Sequence, residues 1–115
     1  MPHDPRAYFL DVEVAAQEVL EFVAGQSLGD YLADRKTRRA VERSLEIIGE
    51  ALAQLRKRDE DALAGIAEHA QVIGLRNVLI HEYGKVDDEL IWKAVQEKLP
   101  SLLSSVTSQL ERIGR

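Results

Sequence analysis

The chain has 115 residues, of which 45% are hydrophobic and 30% charged, and its formal net charge at pH 7 is −5. This composition is typical of a folded globular domain and argues against an intrinsically disordered chain. The absence of cysteine excludes disulfide bonds and thiolate metal sites.

The sequence predicts neither a membrane span nor a signal peptide. No apolar run approaches the roughly 18 residues that a membrane span needs. The first ten residues contain acid and proline where a signal peptide would carry positive charge followed by a long apolar run. We therefore expect a cytoplasmic protein without a membrane segment, in which residues 1–115 form one domain.

The first helix is predicted to begin at Asp4 and Pro5, with Asp4 as the N-cap and Pro5 at the first helical position. Glycine at position 25 ends it, and Ser27 can cap a short helical turn. Its apolar residues recur at helical spacing: Phe9, Val12, Ala16, Val19 and Val23.

A long amphipathic helix is predicted over residues 34–58, and acidic residues 59–61 open the next helix, which we expect to continue to about Tyr83. Asp87 or Asp88 opens a further segment, and Pro100 breaks or kinks it before a last helix follows. Four or five amphipathic helices with short connections predict an all-α fold, an antiparallel helical bundle.

Positive charge is concentrated in the long helix. Between Arg35 and Arg58 there are eight basic residues and three acidic ones, so this segment carries +5 and the rest of the chain −10. The segment is either a solvated helix face or a surface that faces phosphate groups. Composition does not decide between the two.

The residues best suited to chemistry lie within eight positions of one another: Arg76, Asn77, His81 and Tyr83. They combine a permanent cation, an amide, an imidazole and a phenol near the end of a helix. At about 100° per residue, Arg76 and Tyr83 share a helix face, whereas His81 lies about 140° from Arg76. The alternative is a purely structural role, in which Arg76 and His81 donate to carbonyl groups or pair with nearby acids such as Glu82.

Metal sites are poorly supported. Glu18 and Glu21 form a Glu-x-x-Glu pair without the partner pair that magnesium-dependent helical pyrophosphatases have. Glu42, Glu46 and Glu50 alternate with arginines and indicate a charged face. There is no nucleophile elbow and no glycine-rich phosphate loop. We expect no metal and no cofactor.

The segment from Gly74 to Tyr83 resembles the Arg-x4-His-x-Tyr motif of HepT-type proteins in the HEPN superfamily. Other segments resemble the family in the same order: residues 8–11, 34–37, 45–51, 91–92 and 99–100. The resemblance covers about residues 6–100. Residues 58–72 depart from it, because they lack the Pro and Trp that the family pattern has ahead of Arg76.

This resemblance implies a homodimeric helical bundle and a metal-independent ribonuclease that acts as the toxin of a toxin–antitoxin pair. The partner it implies is a minimal nucleotidyltransferase (MNT), which neutralises the toxin by transferring AMP from ATP to the motif tyrosine. Matched residue by residue, Arg76 and His81 would be catalytic, Asn77 supporting, and Tyr83 the modified residue.

The chemistry of the residues is compatible with that implication. Cleavage of RNA through its own 2′-hydroxyl needs a base, an acid and a cation, and a dimer would bring a second His81 and Arg76 to one cleft. Two other hypotheses stay open. In one, the chain is a non-catalytic subunit that binds a nucleotidyltransferase or a nucleotide. In the other, it is a dimeric scaffold in which the Arg76–His81 cluster is structural.

Overall fold

The structure is a computed structural model that describes residues 4–81, 84 and 86–115. Over these residues it is all-helical, as predicted, and none of the helices is both long enough and apolar enough to cross a membrane. The helices of the described part are α1 (Arg6–Val23), α2 (Leu28–Ala33), α3 (Arg35–Arg58), α4 (Glu60–Ala64), α5 (His69–His81), α6 (Asp88–Glu97) and α7 (Leu99–Arg112).

The long helix α3 lies at the centre of the bundle. Helices α1 and α5 pack against it, α7 packs against α1, and α6 packs against α7, while the short α2 contacts both α3 and α6. The apolar stripes predicted from the sequence supply the core, in which Val12, Leu52 and Leu102 are fully buried. Burial of these stripes is the main favourable contribution to folding.

Most helices begin beside a side chain that accepts a hydrogen bond from a free backbone N–H group of the first turn. Ser27 and Asp30 form a capping box at α2. The first helix starts one residue later than predicted, at Arg6, whose backbone N–H donates to Asp4 Oδ1 at 2.9 Å. Aspartates cap three further starts: Asp34 at α3, Asp59 at α4 and Asp87 at α6.

The prediction of a single helix that opens at residues 59–61 and continues to about residue 83 is wrong, because the chain turns between α4 and α5. Glu68 has a φ angle of 66°, which no helix interior allows. Ser105 on α7 stabilises this turn, since its hydroxyl donates to the carbonyl of Gly65 at 2.8 Å and accepts the N–H of Ala67 at 2.9 Å. As a result His69 lies at the start of α5 and not in the middle of a helix.

A buried carboxylate joins the first helix to the end of the chain. Glu13 is only 6% exposed. It accepts two hydrogen bonds from the Arg115 guanidinium, both at 2.9 Å, and one from the Thr107 hydroxyl at 2.9 Å. The bonds from Arg115, helped by the one from Thr107, hold the pKa of Glu13 below its usual value despite burial.

Because the folded state lowers the pKa of Glu13, this carboxylate stabilises the fold above its ordinary pKa. The stabilisation is lost as the pH falls through the lowered value. When the pH is lowered from 7 into the acid range, we expect the Tm of the wild type to fall more than the Tm of Glu13→Gln. The variant keeps an oxygen that accepts hydrogen bonds but has no titratable carboxyl group. Differential scanning calorimetry across this range measures the two slopes.

Glu21→Gln removes an exposed carboxylate from the same helix and serves as the matched control. Its Tm should follow the wild type at every pH. Parallel curves for the wild type and Glu13→Gln would contradict the role assigned to Glu13.

Candidate active site

Helix α5 carries three of the four residues singled out in the sequence. Its buried side chains Val72, Ile73 and Leu79 belong to the core, and α5 packs along α3. Arg76 lies three residues from both Ile73 and Leu79, so it shares their face of the helix. The packing of α5 therefore directs Arg76 towards α3.

A glycine on α3 allows the close approach of the two helices. Gly49 is buried, and a Cβ atom added to it would overlap Cβ and Cγ of Arg76. Any other residue at position 49 would push α5 away from α3. The stem of Arg76 therefore occupies the space left by the missing side chain.

The head of Arg76 is held on two sides. Its Nη2 donates to Oε2 of Glu50, the residue after Gly49, in an ion pair. Its Nη1 donates to Oδ1 of Asn77 at 3.0 Å. The Arg76 side chain is 23% exposed, so part of the guanidinium still faces solvent. A partly exposed cation with a fixed orientation is suited to binding an anion such as a phosphate group.

Glu50 is itself fixed by its neighbours. Gln54, one turn further along α3, donates from Nε2 to Oε1 of Glu50 at 3.1 Å. This bond, together with the charge and hydrogen bond of Arg76, holds the pKa of Glu50 below its usual value. The chain Gln54–Glu50–Arg76–Asn77 therefore connects two helices through hydrogen bonds.

His81 is the last residue of α5 and is exposed to solvent. It makes no hydrogen bond or ion pair with the described residues. Within one chain the structure thus brings together Arg76 and Asn77 but does not bring His81 to them. Tyr83 lies outside the described residues, so its predicted position on the face of Arg76 stays a prediction.

A groove between α1 and α3 runs next to this cluster. It has a volume of about 220 Å³, and its lining includes Tyr8, Arg43, Glu50 and Gln54. A larger depression of about 490 Å³ follows α6 beside Trp92, but it includes none of the predicted site residues. The groove that touches Glu50 is the more relevant one, because Glu50 binds the Arg76 guanidinium.

Comparison with known proteins matches this chain along most of its length. The family model described as "Ribonuclease HepT-like" matches residues 12–108. The chain belongs to the HepT-like ribonuclease family.

Three relatives illustrate the extent of the similarity. "Putative RNase MJ1380" of Methanocaldococcus jannaschii is 33% identical over 103 residues, which cover 90% of this chain and 94% of the relative. "Putative RNase TTE0752" of Caldanaerobacter subterraneus subsp. tengcongensis is 33% identical over 108 residues, or 94% of this chain and 96% of the relative. "Probable ribonuclease HepT" of Thermococcus cleftensis is 36% identical over 102 residues, or 89% and 92%. No solved structure matches the chain significantly.

The basic residues of α3 in this HepT-like chain fall into three groups: one links helices, two form ion pairs within α3, and the others are exposed. Arg38 donates to the carbonyl of Leu32 and lies 3.5 Å from Asp88, so it ties α2 and α6 to α3. Arg39 and Arg43 pair with glutamates three residues further along the helix, at 3.1 and 3.3 Å. The remaining cations of α3 are exposed at its two ends: Arg35, Lys36, Arg56, Lys57 and Arg58.

The described residues contain no group of three or more His, Asp or Glu side chains that could hold a metal ion. The sequence pattern indicates a charged face that includes Glu50 and indicates no separate role for Gly49. Both lie in a segment that resembles the family, and this was the one available signal. Arg76, which contacts both residues, is 26 positions from Glu50 along the chain, so the spacing in the sequence does not predict this contact.

Gly49→Ala tests whether Arg76 depends on this close approach. The added methyl group overlaps the Arg76 stem, and we expect the free energy of unfolding to fall by about 1–3 kcal/mol. The measurement is urea denaturation followed by circular dichroism.

Gly74→Ala is the matched control on α5, because a Cβ atom there meets nothing within 4 Å. This change should raise the free energy of unfolding by about 0.5–1 kcal/mol, since alanine favours helix more than glycine does. Equal stabilisation by the two alanines would show that α3 and α5 are not in close contact at Gly49.

Proposed function

We propose that this chain is a metal-independent endoribonuclease and the toxin of a toxin–antitoxin pair, with Arg76 and His81 as its catalytic residues. The observation that carries the proposal is the guanidinium of Arg76, fixed at the α3–α5 contact in a member of a ribonuclease family. Asn77 supports it through the hydrogen bond to Nη1. His81 follows at the exposed end of the same helix.

The proposed reaction uses the 2′-hydroxyl of the RNA as the nucleophile. A base takes the hydroxyl proton while the 2′-oxygen forms a bond to phosphorus, and the bond from phosphorus to the 5′-oxygen breaks. An acid gives a proton to the departing 5′-oxygen, which leaves a 2′,3′-cyclic phosphate on the other product. His81 is suited to the proton transfers, and Arg76 to the negative charge that develops on the phosphate.

A homodimer would provide both proton-transfer groups, because each chain offers one suitable histidine. Exposed apolar side chains favour the α1–α3 face for this contact: Leu10, Val14 and Ile47 line one groove of about 230 Å³. Ile47 also lines the neighbouring groove that reaches Glu50. Two copies joined through this face would bring two Arg76 side chains close to each other across a twofold axis.

The cations at the two ends of α3 are the proposed contacts for the RNA backbone. Arg35 and Lys36 lie at one end, and Arg56, Lys57 and Arg58 at the other. A helix of 24 residues is about 36 Å long, so the two groups would contact well-separated phosphates. Such contacts give affinity without reading the base sequence.

His81→Ala should abolish cleavage of a small structured RNA in the presence of EDTA, because the variant lacks the proton-transfer group. His69→Ala is the matched control, since it removes the histidine at the opposite end of α5 and should cleave at the wild-type rate. Cleavage is followed on denaturing gels, after intact mass shows that Tyr83 is unmodified. Size-exclusion chromatography checks that both variants keep the wild-type oligomeric state.

Residual cleavage by His81→Ala would reject the catalytic role of this residue. A folded, unmodified wild type that cleaves neither this RNA nor tRNA would favour the alternative function. The chain would then be a non-catalytic subunit that binds the nucleotidyltransferase or a nucleotide.

The proposed antitoxin is an MNT-type nucleotidyltransferase that transfers AMP to Tyr83. Helix periodicity predicts Tyr83 on the face of Arg76, and AMP attached there would add bulk and negative charge beside the phosphate-binding cation and so would block RNA. With ATP and the transferase, the wild type should gain the mass of AMP and lose cleavage. Tyr83→Phe should cleave RNA normally and resist inhibition, whereas Tyr8→Phe should still be modified. Modification of Tyr83→Phe would show that another residue is the acceptor.

A further inference from the structure

We infer that Glu50 is a positioning residue for catalysis: it holds the Arg76 guanidinium in the orientation that binds the reacting phosphate. The inference rests on the proposed ribonuclease activity. It assigns a role to a carboxylate on α3, outside the motif on α5. The contacts between α3 and α5 around Arg76 support this inference.

The backbone first limits where Arg76 can go. Gly49 leaves room for the Arg76 stem, and the adjacent Glu50 meets the guanidinium at its far end. One turn of α3 therefore contacts both the start and the end of the same side chain. This arrangement restricts the several rotatable bonds of arginine before any substrate binds.

The hydrogen bonds then fix the plane of the guanidinium. Glu50 accepts from Nη2 and Asn77 from Nη1, so the two outer nitrogens are each held by one bond. Each of these nitrogens carries a second hydrogen that makes no hydrogen bond with the described residues and can be donated to an anion. The Nε atom is buried and has no hydrogen-bond partner among the described residues, which leaves Nη1 and Nη2 as the groups for a phosphate.

A carboxylate beside a phosphate-binding cation weakens the binding of RNA by its charge. Its presence is therefore better explained by orientation than by affinity. An ordered guanidinium loses less conformational entropy when it meets the transition state, and small errors in position are costly to the rate. Gln54 supports the same arrangement by holding the other carboxylate oxygen at 3.1 Å.

The inference predicts a change in kcat without a matching loss of RNA affinity. Glu50→Ala should lower kcat by about 10- to 100-fold, because Arg76 is no longer held in place. The KM for RNA should stay the same or fall, since a negative charge has been removed. Glu50→Gln keeps an oxygen acceptor for Nη2 and should restore most of kcat.

The matched control is Glu42→Ala. Glu42 also lies on α3 and pairs with an arginine, Arg39, at 3.1 Å, but Arg39 is not in the site. This variant should keep the wild-type kcat. Gln54→Ala removes only the support of Glu50 and should lower kcat less than Glu50→Ala does. It keeps the test available if Glu50→Ala does not fold.

A spectroscopic measurement follows Arg76 independently of activity. In ¹⁵N-labelled wild-type protein the buried Nε–H of Arg76 should give a resolved, slowly exchanging signal, identified by its loss in Arg76→Lys. In Glu50→Ala this signal should shift and exchange faster with water. In Glu42→Ala it should stay unchanged.

Each outcome has a separate meaning. A released Arg76 signal with unchanged kcat in Glu50→Ala would overturn the positioning role and leave the ribonuclease proposal intact. A higher kcat would overturn it as well, because Glu50 would then compete with RNA for Arg76. A wild type without cleavage would reject the ribonuclease proposal itself, and the Glu50–Arg76 pair would be structural only.

Discussion

The contact between Gly49 and Arg76 is the constraint on which the rest of the site depends. Helix α5 can approach α3 this closely because position 49 has no side chain, and the Arg76 stem fills the space. Once the stem is there, the guanidinium reaches Glu50 and Asn77, and its exposed part faces solvent. A cation that is buried along its stem and partly exposed at its tip combines a fixed position with access to an anion. The fold of α3 and α5 therefore supplies the geometry that the motif alone lacks.

The net charge of −5 is not in conflict with a function on RNA, because the charges are unevenly distributed. Two acids are held by contacts within the protein: Glu13 by Arg115, and Asp34 by the backbone N–H of Thr37 at the start of α3. The cations at the ends of α3 remain exposed. Attraction by exposed charge falls off over about 10 Å at moderate salt, so local groups matter more for RNA than the sum over the chain.

Structural features that depend on residues close together in the sequence, such as helix starts, are predicted well. Helix α3 begins beside Asp34 and α6 beside Asp87, close to the predicted starts, because a helix start is set by a cap and residues two or three positions away. The break between α4 and α5 was missed, since the serine that stabilises it is about 40 residues distant along the chain. Arg76 could be selected from its motif, but Glu50 could not, because its role depends on which helix packs against which. Helix geometry predicts that His81 lies about 140° around the helix from Arg76, and in the structure both residues are on α5 with no hydrogen bond between them.

The link between Glu13 and Arg115 has a consequence for how the chain is made. The two residues are 102 positions apart, and α1 packs against both α3 and α7. During synthesis α1 can dock on α3 as soon as α3 has left the ribosome, but its other side stays uncovered until α7 emerges. The carboxylate of Glu13 remains hydrated over that interval and is enclosed only when the last helix arrives. The contact between Glu13 and Arg115 can therefore form only after α7 has been synthesised.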